Sequence, residues 1–413
     1  MYLLAHMLAT IVRKGTLTVR VADGPSRVFG DGGSPAVSIR FADAGVTRRI
    51  FRNPGLALGE AYMDGGLTIE NGDIYDFLDL CFANMGWGNG HWLQSVRTYL
   101  LRLGRRIAQH NPVHVARANV AHHYDLSDQL YDLFLDSDRQ YSCAYYLSPN
   151  DSLEQAQAQK KRHLAAKLLL RPGQKVLDIG SGWGGLALSL ARTADVDVTG
   201  ITLSEEQLKV SNRRAAEAGL GDRVRFRLQD YRLEQGRYDR IVSVGMFEHV
   251  GIGYYRTYFE KIRELLADDG VALVHTIGRA DGPGTTNSWI RKYIFPGGYS
   301  PALSEVLPII ERAELYLTDV EVLRLHYAET LKAWRRRFNA NRWRIAELYD
   351  ERFCRMWEFY LSASEATFRH SGHVNFQVQL AKQVDSVPLT RDYIAEWERA
   401  HPIDYERKAS AAE

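Results

Sequence analysis

The spacing of hydrophobic and polar positions divides the chain into three stretches. In the first stretch, short apolar runs at Leu17–Val21 and Ala36–Phe41 predict strands. Apolar residues at helical spacing over Leu58–Met63 and Ile74–Phe82 predict helices. This combination predicts a small α/β domain over residues 1–88.

The second stretch, residues 89–118, places arginines between apolar residues that recur at helical spacing. Trp92, Val96 and Leu100 belong to the apolar face, and Arg97 and Arg102 lie between them. This pattern predicts a basic amphipathic helix that links two domains. An ordinary interdomain helix with one solvated face explains the same pattern, and both interpretations stay open.

In the third stretch, from Leu164 onward, predicted strands and helices alternate, which is typical of an α/β fold with a doubly wound parallel sheet. The predicted strands are Lys175–Ile179, Val196–Ile201, Val224–Leu228, Arg240–Val244, Val271–Thr276 and Leu317–Leu323. The predicted helices between them include Leu186–Arg192, Glu205–Ala218 and Tyr254–Leu266. We assign residues 119–405 to this larger domain and 406–413 to a tail. Ligands of such sheets bind beyond the carboxyl ends of the strands.

Composition narrows the class of protein. The chain has 413 residues, which exceeds one typical domain, and its formal net charge of +2 gives no strong field for nucleic acid. Cys81, Cys143 and Cys354 lie far apart without a Cys-x-x-Cys pair, which argues against a disulfide framework or a structural zinc site. A reducing, cytoplasmic compartment fits this usage, and we predict no metal. No apolar run approaches the ~20 residues that a membrane span needs.

The most informative motif is Val176–Gly185, where an apolar strand is followed by an acid and alternating glycines. Gly180 and Gly182 allow a tight turn and let a ligand approach N–H groups at the start of the next helix. Asp178 can accept from, or pair with, a cationic group of the ligand. The motif indicates a nucleotide-type site, although glycines needed only for packing explain such a loop equally well when it stands alone.

Polar residues follow the next two predicted strands. Thr202 lies where a dinucleotide fold usually carries an acid for the ribose hydroxyls. Gln207 is a substitute hydrogen-bonding partner, but Ser204 and Gln207 also have the spacing of a capping box, and both interpretations stay open. Further along, Asp230 offers a carboxylate for an exocyclic amine and Tyr231 offers a ring for stacking, which are the needs of an adenine.

Ionisable side chains come from two neighbouring strands. Glu248 and His275 are expected to face one pocket, where burial and mutual contact shift proton affinities toward catalytic use. A buried core histidine would explain His275 alone. Likewise, a small buried hydrophobe would explain Cys143 alone. The convergence of Glu248 and His275 on one pocket favours a functional site there, whereas the role of Cys143 stays open.

Taken together, these motifs resemble those of the cyclopropane-fatty-acyl-phospholipid synthases, over nearly the whole chain. The motifs are His123–Leu126, Tyr141–Tyr145, the glycine loop, Gly245–Gly251, His275–Gly278 and Lys292–Pro296. The resemblance implies a Rossmann-like class I methyltransferase domain that adds a methylene from S-adenosylmethionine across the cis double bond of phospholipid acyl chains. Small departures, such as Ser181 where many members have cysteine, leave the acyl-chain length and double-bond position open.

The resemblance also implies the site residues. A bicarbonate ion is expected at Cys143, Glu248, His275, Ile277 and Tyr327. S-adenosylmethionine is expected at Tyr141, Ser142, Gly180, Gly182, Thr202, Gln207, Gln229 and Asp230, with Asp178 added from the glycine-loop pattern. In this reaction the methyl transfer builds positive charge on carbon, and bicarbonate then removes a proton to close the ring. C-methylation or methylenation of the same acyl chains without ring closure is the alternative.

A developing cation needs a dry, aromatic pocket, because water would capture it. The aromatic residues near the predicted strand ends are Phe247, Trp289, Tyr293, Phe295 and Tyr299. Core packing is the alternative explanation for them. An apolar helical face over residues 353–361 fits an acyl tunnel or, more simply, core packing.

A phospholipid substrate requires contact with a bilayer. Residues 334–338 and 342–344 interleave basic and aromatic side chains, which suits anionic headgroups better than nucleic acid in a chain of this net charge. We therefore expect peripheral association with the inner face of the cell membrane, with a lipid-interaction role for residues 1–88 and a homodimer as hypotheses. A catalytically silent lipid-binding protein and a small-molecule methyltransferase fit less well.

Overall fold

The computed structural model describes residues 2–86 and 127–403, which divide into two compact units. The first unit joins the N-terminal residues with Gly284–Pro296 and Ala328–His373, and the second holds the other described residues. The inclusion of two later segments in the first unit is not a feature that the sequence pattern predicts. The predicted boundaries, the helix of residues 89–118, the motif His123–Leu126 and the tail lie outside the described residues and stay predictions.

The described residues form eleven strands and fifteen α-helices. The strands are β1 Thr16–Val21, β2 Arg27–Gly30, β3 Ala36–Phe41, β4 Leu67–Asn71, β5 Lys175–Ile179, β6 Asp197–Thr202, β7 Val224–Leu228, β8 Tyr238–Val244, β9 Leu266–Arg279, β10 Tyr316–Leu323 and β11 His373–Ala381. The helices are α1 Tyr2–Ile11, α2 Ala44–Arg52, α3 Pro54–Met63, α4 Ile74–Met85, α5 Asp128–Phe134, α6 Leu153–Lys167, α7 Gly185–Ala194, α8 Glu205–Glu217, α9 Tyr255–Leu265, α10 Ser288–Tyr293, α11 Leu303–Arg312, α12 His326–Ala340, α13 Arg342–Leu348, α14 Glu351–His370 and α15 Asp392–Ala400.

The first unit contains a four-stranded sheet of order β2-β1-β3-β4. Strands β1 and β3 run parallel, whereas β2 and β4 pair with them antiparallel. Alternate residues such as Leu17, Val19, Val37 and Ile39 are buried, because successive side chains of a strand point to opposite faces. The α/β character predicted for the N-terminal stretch is therefore confirmed.

The second unit contains a seven-stranded sheet of order β10-β11-β9-β8-β5-β6-β7. The pairs from β7 to β9 are parallel, so the predicted α/β fold with a mostly parallel sheet is confirmed. Strands β5 and β7 have the predicted bounds. Strand β9 is longer than predicted at both ends, and it carries His275 beside Val244 of β8.

Strand β11 is a seventh strand, in addition to the six that the sequence predicts for this sheet. It lies between β9 and β10 and pairs antiparallel with β10. Its apolar residues Val374, Phe376, Val378 and Leu380 pack into one core cluster with α9 and α11. The alternate residues Asn375, Gln377 and Gln379 are polar and fully buried on the other face.

Helices cover both faces of the large sheet. One core cluster includes Ile179, Tyr258 and Ile310, and a second cluster, on the other face, includes Leu164 of α6 and Leu273 of β9. Helix α6 begins with a capping box in which Ser152 and Gln155 satisfy each other's backbone N–H groups. The shared cluster of Leu164 and Leu273 places α6 over the sheet face that carries His275.

Among residues 2–86 and 127–403, no helix combines the length and the apolar composition that crossing a membrane requires.

Candidate active site

The glycine loop follows β5, as the sequence predicts. Gly180 and Gly182 have φ values of +83° and +54°, a left-handed region that L-residues with side chains rarely adopt. A Cβ at Gly180 would meet Met246 at 2.9 Å, whereas a Cβ at Gly182 would meet nothing within 4 Å. The space beside Gly182 is therefore open on the side where a ligand is expected.

Asp178 lies at the end of β5 and is buried. Its Oδ2 atom has no hydrogen-bond partner within the described part of the chain. Burial raises the pKa of Asp178 to about 7, and the nearby Lys160 ammonium opposes that rise. An unpartnered buried carboxylate oxygen is costly, and it suits a cationic group of a bound ligand.

Thr202 and Gln207 meet directly, because the Thr202 hydroxyl donates to Oε1 of Gln207 at 2.9 Å. Ser204 caps α8 by accepting from the Gln207 backbone N–H. The Gln207 side chain faces Thr202, so the reciprocal half of the capping box does not form. Both predicted ribose partners thus lie on one buried surface beside the loop end of β6.

Gln229 and Asp230 follow β7, and each is already engaged by a neighbour. The Gln229 amide donates to Glu234 at 2.7 Å, and both Asp230 oxygens accept from the Arg232 guanidinium at 2.7–2.8 Å. Tyr231 packs edge-on against Tyr258 at 5.3 Å in the core. The expectation that Tyr231 supplies a stacking ring is therefore not supported.

Tyr141, Ser142 and Cys143 form one strip that α6 holds in place. The Gln157 amide donates to the carbonyl oxygens of Gln140 and Ser142 at 3.1 and 2.9 Å. Cys143 is fully buried, and its thiol donates to the Ala144 carbonyl at 3.3 Å. Burial raises the pKa of Cys143, so the sulfur is a neutral thiol at neutral pH.

Lys160 is a site residue that the sequence does not reveal. This fully buried side chain donates from Nζ to Gln140 Oε1 and to Ser142 Oγ, both at 2.8 Å. Burial lowers its pKa to about 8, with Asp136 acting in the opposite direction. Lys160 sits in a lysine- and glutamine-rich helix that looks solvated by composition, so no sequence signal marks it.

Glu248 and Ile277 are in direct contact. The Ile277 backbone N–H donates to Glu248 Oε1 at 2.5 Å, and Glu248 Oε2 is buried without a hydrogen-bond partner among the described residues. Burial raises the pKa of Glu248 to about 7, although the Ile277 N–H opposes that rise. Its charge therefore changes near neutral pH, as suits a group that handles protons.

His275 lies on the neighbouring strand β9 and is 1% exposed. Its two ring nitrogens contact the side-chain amides of Asn375 and Gln377, each at 3.3 Å. Burial, together with the charges of Lys160 and Lys167, lowers the pKa of His275 to about 3. The ring is therefore neutral at physiological pH.

Tyr327 is buried one residue after His326 at the start of α12. The Tyr145 ring stacks between the rings of His163 and His326, at centroid distances of 4.2 and 4.8 Å. His326 also accepts from the Tyr146 backbone N–H at 2.9 Å. These contacts join the strip that carries Cys143 to the helix that carries Tyr327.

The expected aromatic pocket does not form a single cluster within one unit. Phe247 packs against Tyr255 at 4.5 Å in the core of the second unit. Trp289 packs against Tyr293 and Phe359 in the first unit. Core packing, the simpler alternative, accounts for these contacts.

The basic and aromatic stretch has buried as well as exposed members. Trp334 and Phe338 are buried, and Arg335 pairs with Glu365 at 3.0 Å with its guanidinium 3.9 Å from the Tyr75 ring centroid. These three residues stabilise the interior of the first unit. The exposed members of the stretch are Arg336, Trp343 and Arg344.

Comparisons with known proteins decide the family. The family described as mycolic acid cyclopropane synthetase matches residues 113–378, and a domain family of unknown function, DUF7884, matches residues 3–86. The chain belongs to the mycolic acid cyclopropane synthetase family. The predicted resemblance is thereby confirmed, and the protein is an S-adenosylmethionine-dependent methyltransferase.

Two curated relatives can be aligned with most of this chain. The chain is 38% identical over 354 residues to the cyclopropane-fatty-acyl-phospholipid synthase of Escherichia coli (strain K12), which covers 86% of this chain and 90% of the relative. It is 37% identical over 373 residues to a probable fatty acid methyltransferase of Pseudomonas putida, covering 88% and 91%. A crystal structure of mycolic acid cyclopropane synthase CmaA1 complexed with SAH and CTAB superposes with a TM-score of 0.62 at 32% identity, covering 66% of this chain and 99% of that one.

Proposed function

We propose that this family member transfers a methylene from S-adenosylmethionine across the cis double bond of unsaturated phospholipid acyl chains. The net change replaces the double bond by a cyclopropane ring, converts the sulfonium to a thioether and releases one proton. The observation that supports this best is the pair formed by Glu248 and Ile277, with one carboxylate oxygen buried and unpartnered beside a strand end.

The cofactor residues fit S-adenosylmethionine. Asp178 offers an unpartnered carboxylate oxygen for an ammonium group, and Gly182 faces open space. Thr202 and Gln207 offer buried polar atoms for ribose hydroxyls. Asp230, whose oxygens already accept from Arg232, is the proposed acceptor for an adenine amine. When bound, S-adenosylmethionine supplies an electrophilic methyl group, and these residues orient it by contact with its polar ends.

The base residues fit a small oxyanion. Cys143, Glu248, His275, Ile277 and Tyr327 would hold bicarbonate, which supplies a weak base when bound. Glu248 changes charge near neutral pH, so its protonated form can donate to an oxyanion through the unpartnered oxygen. The neutral His275 ring keeps the surrounding charge low. Placing a base beside the reacting carbon supplies the proximity on which proton removal depends.

We also propose that the protein reaches its substrate by peripheral association with an anionic membrane surface. Trp343 is 64% exposed, and the Arg344 guanidinium lies 5.8 Å from its ring centroid. An exposed tryptophan flanked by arginines suits the interface between headgroups and acyl chains. The inner face of the cell membrane is the expected location, and a homodimer stays a hypothesis.

The decisive experiment incubates the full-length protein with S-adenosylmethionine and vesicles of a mono-unsaturated phospholipid. Both ring closure and methylenation add one CH₂ group, so mass spectrometry alone does not separate them. Proton NMR of the extracted fatty acids does, because ring protons lie far upfield of olefinic protons. Upfield ring signals support cyclopropanation, whereas olefinic methylene signals support methylenation without ring closure. Unchanged acyl chains, with intact cofactor binding, would contradict both.

A further inference from the structure

Strand β11 places three amide side chains on one buried face. Asn375, Gln377 and Gln379 are each at most 1% exposed. A buried amide is costly unless its donors and acceptor find partners. The partners of these three amides therefore show what each one does.

Gln379 is fully engaged in holding neighbouring elements together. Its Nε2 donates to the Lys167 carbonyl at 2.6 Å and to the Tyr393 hydroxyl at 2.8 Å. Its Oε1 accepts from the Thr318 hydroxyl at 2.8 Å. This amide makes no contact with His275 and serves packing alone.

Asn375 and Gln377 are arranged differently. Their amide nitrogens contact the two ring nitrogens of His275, and their carbonyl oxygens are buried without partners in the described part of the chain. A neutral imidazole has one N–H and one bare nitrogen. One amide therefore donates to the bare nitrogen, and the other turns its oxygen toward the N–H, which satisfies one of the two orphaned oxygens.

We propose that Asn375 and Gln377 are positioning residues that hold His275 as a neutral ring in one orientation and one tautomer, so that Glu248 and not His275 exchanges protons in this site. The charged groups that act on His275 are Lys160, Lys167 and His163 of α6, and Glu321 of β10. The three groups of α6 disfavour a charged ring, whereas Glu321 favours it. The catalytic part of this proposal rests on the proposed function.

Nitrogen-15 NMR of the imidazole rings in full-length, histidine-labelled protein tests the proposal without reference to activity, with His275→Gln used to assign the His275 signals. We expect one protonated and one bare ring nitrogen. Both signals should stay unchanged when the pH is varied from 5.5 to 8.5. In Gln377→Leu, a mixture of tautomers or a shifted ring pKa is expected. In the matched control Gln379→Leu, the His275 signals stay as in the parent protein.

Kinetics supply the second readout. Gln377→Leu lowers kcat by roughly 100-fold with little change in the KM for S-adenosylmethionine, because a misplaced group near the chemistry has about that effect. Gln377→Glu keeps the side-chain shape and places a carboxylate beside the ring, so it raises the His275 pKa and introduces a loss of kcat at low pH. It also tests the proposal if the leucine variant does not fold.

Unaltered His275 signals in both Gln377 variants, or a His275 that titrates near pH 6.5 in the parent protein, would overturn the proposal. If the parent protein modifies no acyl chain while the NMR results hold, the proposed function fails and the role of β11 stands. If it forms rings while the NMR results fail, the reverse is true.

Discussion

The Ile277 backbone N–H donates to one oxygen of Glu248, while the other oxygen of the same carboxyl group is buried without a partner in the described residues. The first contact fixes the orientation of the carboxyl group, and the second leaves one oxygen available to a ligand. Because strand β9 runs beyond the end of β8, Ile277 lies beside the turn that carries Glu248. The length of β9 therefore positions this acid.

Glu248→Gln removes the ionisable group and keeps its shape and the Ile277 contact. We expect turnover to fall by about 10²–10⁴-fold, the usual effect of losing an oriented proton-handling group. Assays with vesicles at saturating S-adenosylmethionine measure this directly. Near-parental turnover would show that Glu248 does not have the proposed role.

Glu248→Gln should lower turnover, but it should raise the stability of the folded protein at high pH. The pKa of Glu248 is raised from 4.5 to about 7 on folding, so the folded state binds the proton more tightly than the unfolded state. Stability of the parent protein therefore falls as pH rises from 4.5 to about 7 and is level above that range. At pH 8, Glu248→Gln should be more stable by about 3 kcal/mol, because the pKa rises by about 2.5 pKa units at 1.36 kcal/mol per unit, and the difference should be absent near pH 4. Denaturant unfolding at both pH values tests this.

Lys160→Met should weaken cofactor binding. The Lys160 ammonium makes two 2.8 Å hydrogen bonds to the strip that carries Ser142, and hydrogen bonds to charged groups contribute about 1.5–3 kcal/mol each. Losing them should lower the affinity for S-adenosylmethionine by about tenfold or more, measured by calorimetric titration.

Lys167→Met is the matched control, since Lys167 is equally buried on the same helix but pairs with Asp319 and Glu321. It should lower stability and leave the affinity unchanged. Equal affinities in the two variants would contradict the role assigned to Lys160.

Particular residues show what the sequence could and could not predict. The bounds of β5 follow from a short, mostly buried apolar run, those of β7 from alternating apolar and arginine residues, and the glycine loop from its spacing. Helix α6 carries six glutamine, lysine and arginine residues within Gln155–Arg162, yet twelve of its fifteen residues are buried. Burial of polar groups depends on tertiary partners, which local composition does not encode.

The sequence does contain a pattern from which strand β11 can be predicted. Polar and apolar residues alternate along Val374–Leu380, which is the pattern of a strand with one polar face. That pattern alone predicts a solvated polar face, whereas here both faces are buried. The functional meaning of Asn375 and Gln377 arises from the order of strands in the sheet, which places them beside His275.

Gly182→Ala should separate backbone strain from ligand exclusion. Gly182 and Gly219 both have positive φ, +54° and +65°, and an added Cβ meets nothing within 4 Å at either. Each alanine variant should therefore lose a similar 1–2 kcal/mol of stability from the left-handed conformation. Only Gly182→Ala should lose affinity for S-adenosylmethionine in calorimetric titration. Parallel losses of affinity, or none, would contradict the cofactor-loop assignment.

Membrane association can be tested with adjacent arginines of α12. Arg336 is exposed, whereas Arg335 is half-buried and pairs with the buried Glu365. Each basic residue near an anionic surface contributes about 1 kcal/mol, and salt screens this attraction over the Debye length. Replacing Arg336 and Arg344 by glutamine should thus reduce co-sedimentation with anionic vesicles at low salt without changing the melting temperature. Arg335→Gln should lower the melting temperature and leave co-sedimentation unchanged, because it removes one of the ion-pair partners of the buried Glu365. If the double variant sediments like the parent protein at every salt concentration, these arginines only solvate the helix, and the basic residues between Arg97 and Arg106 become the next surface to test.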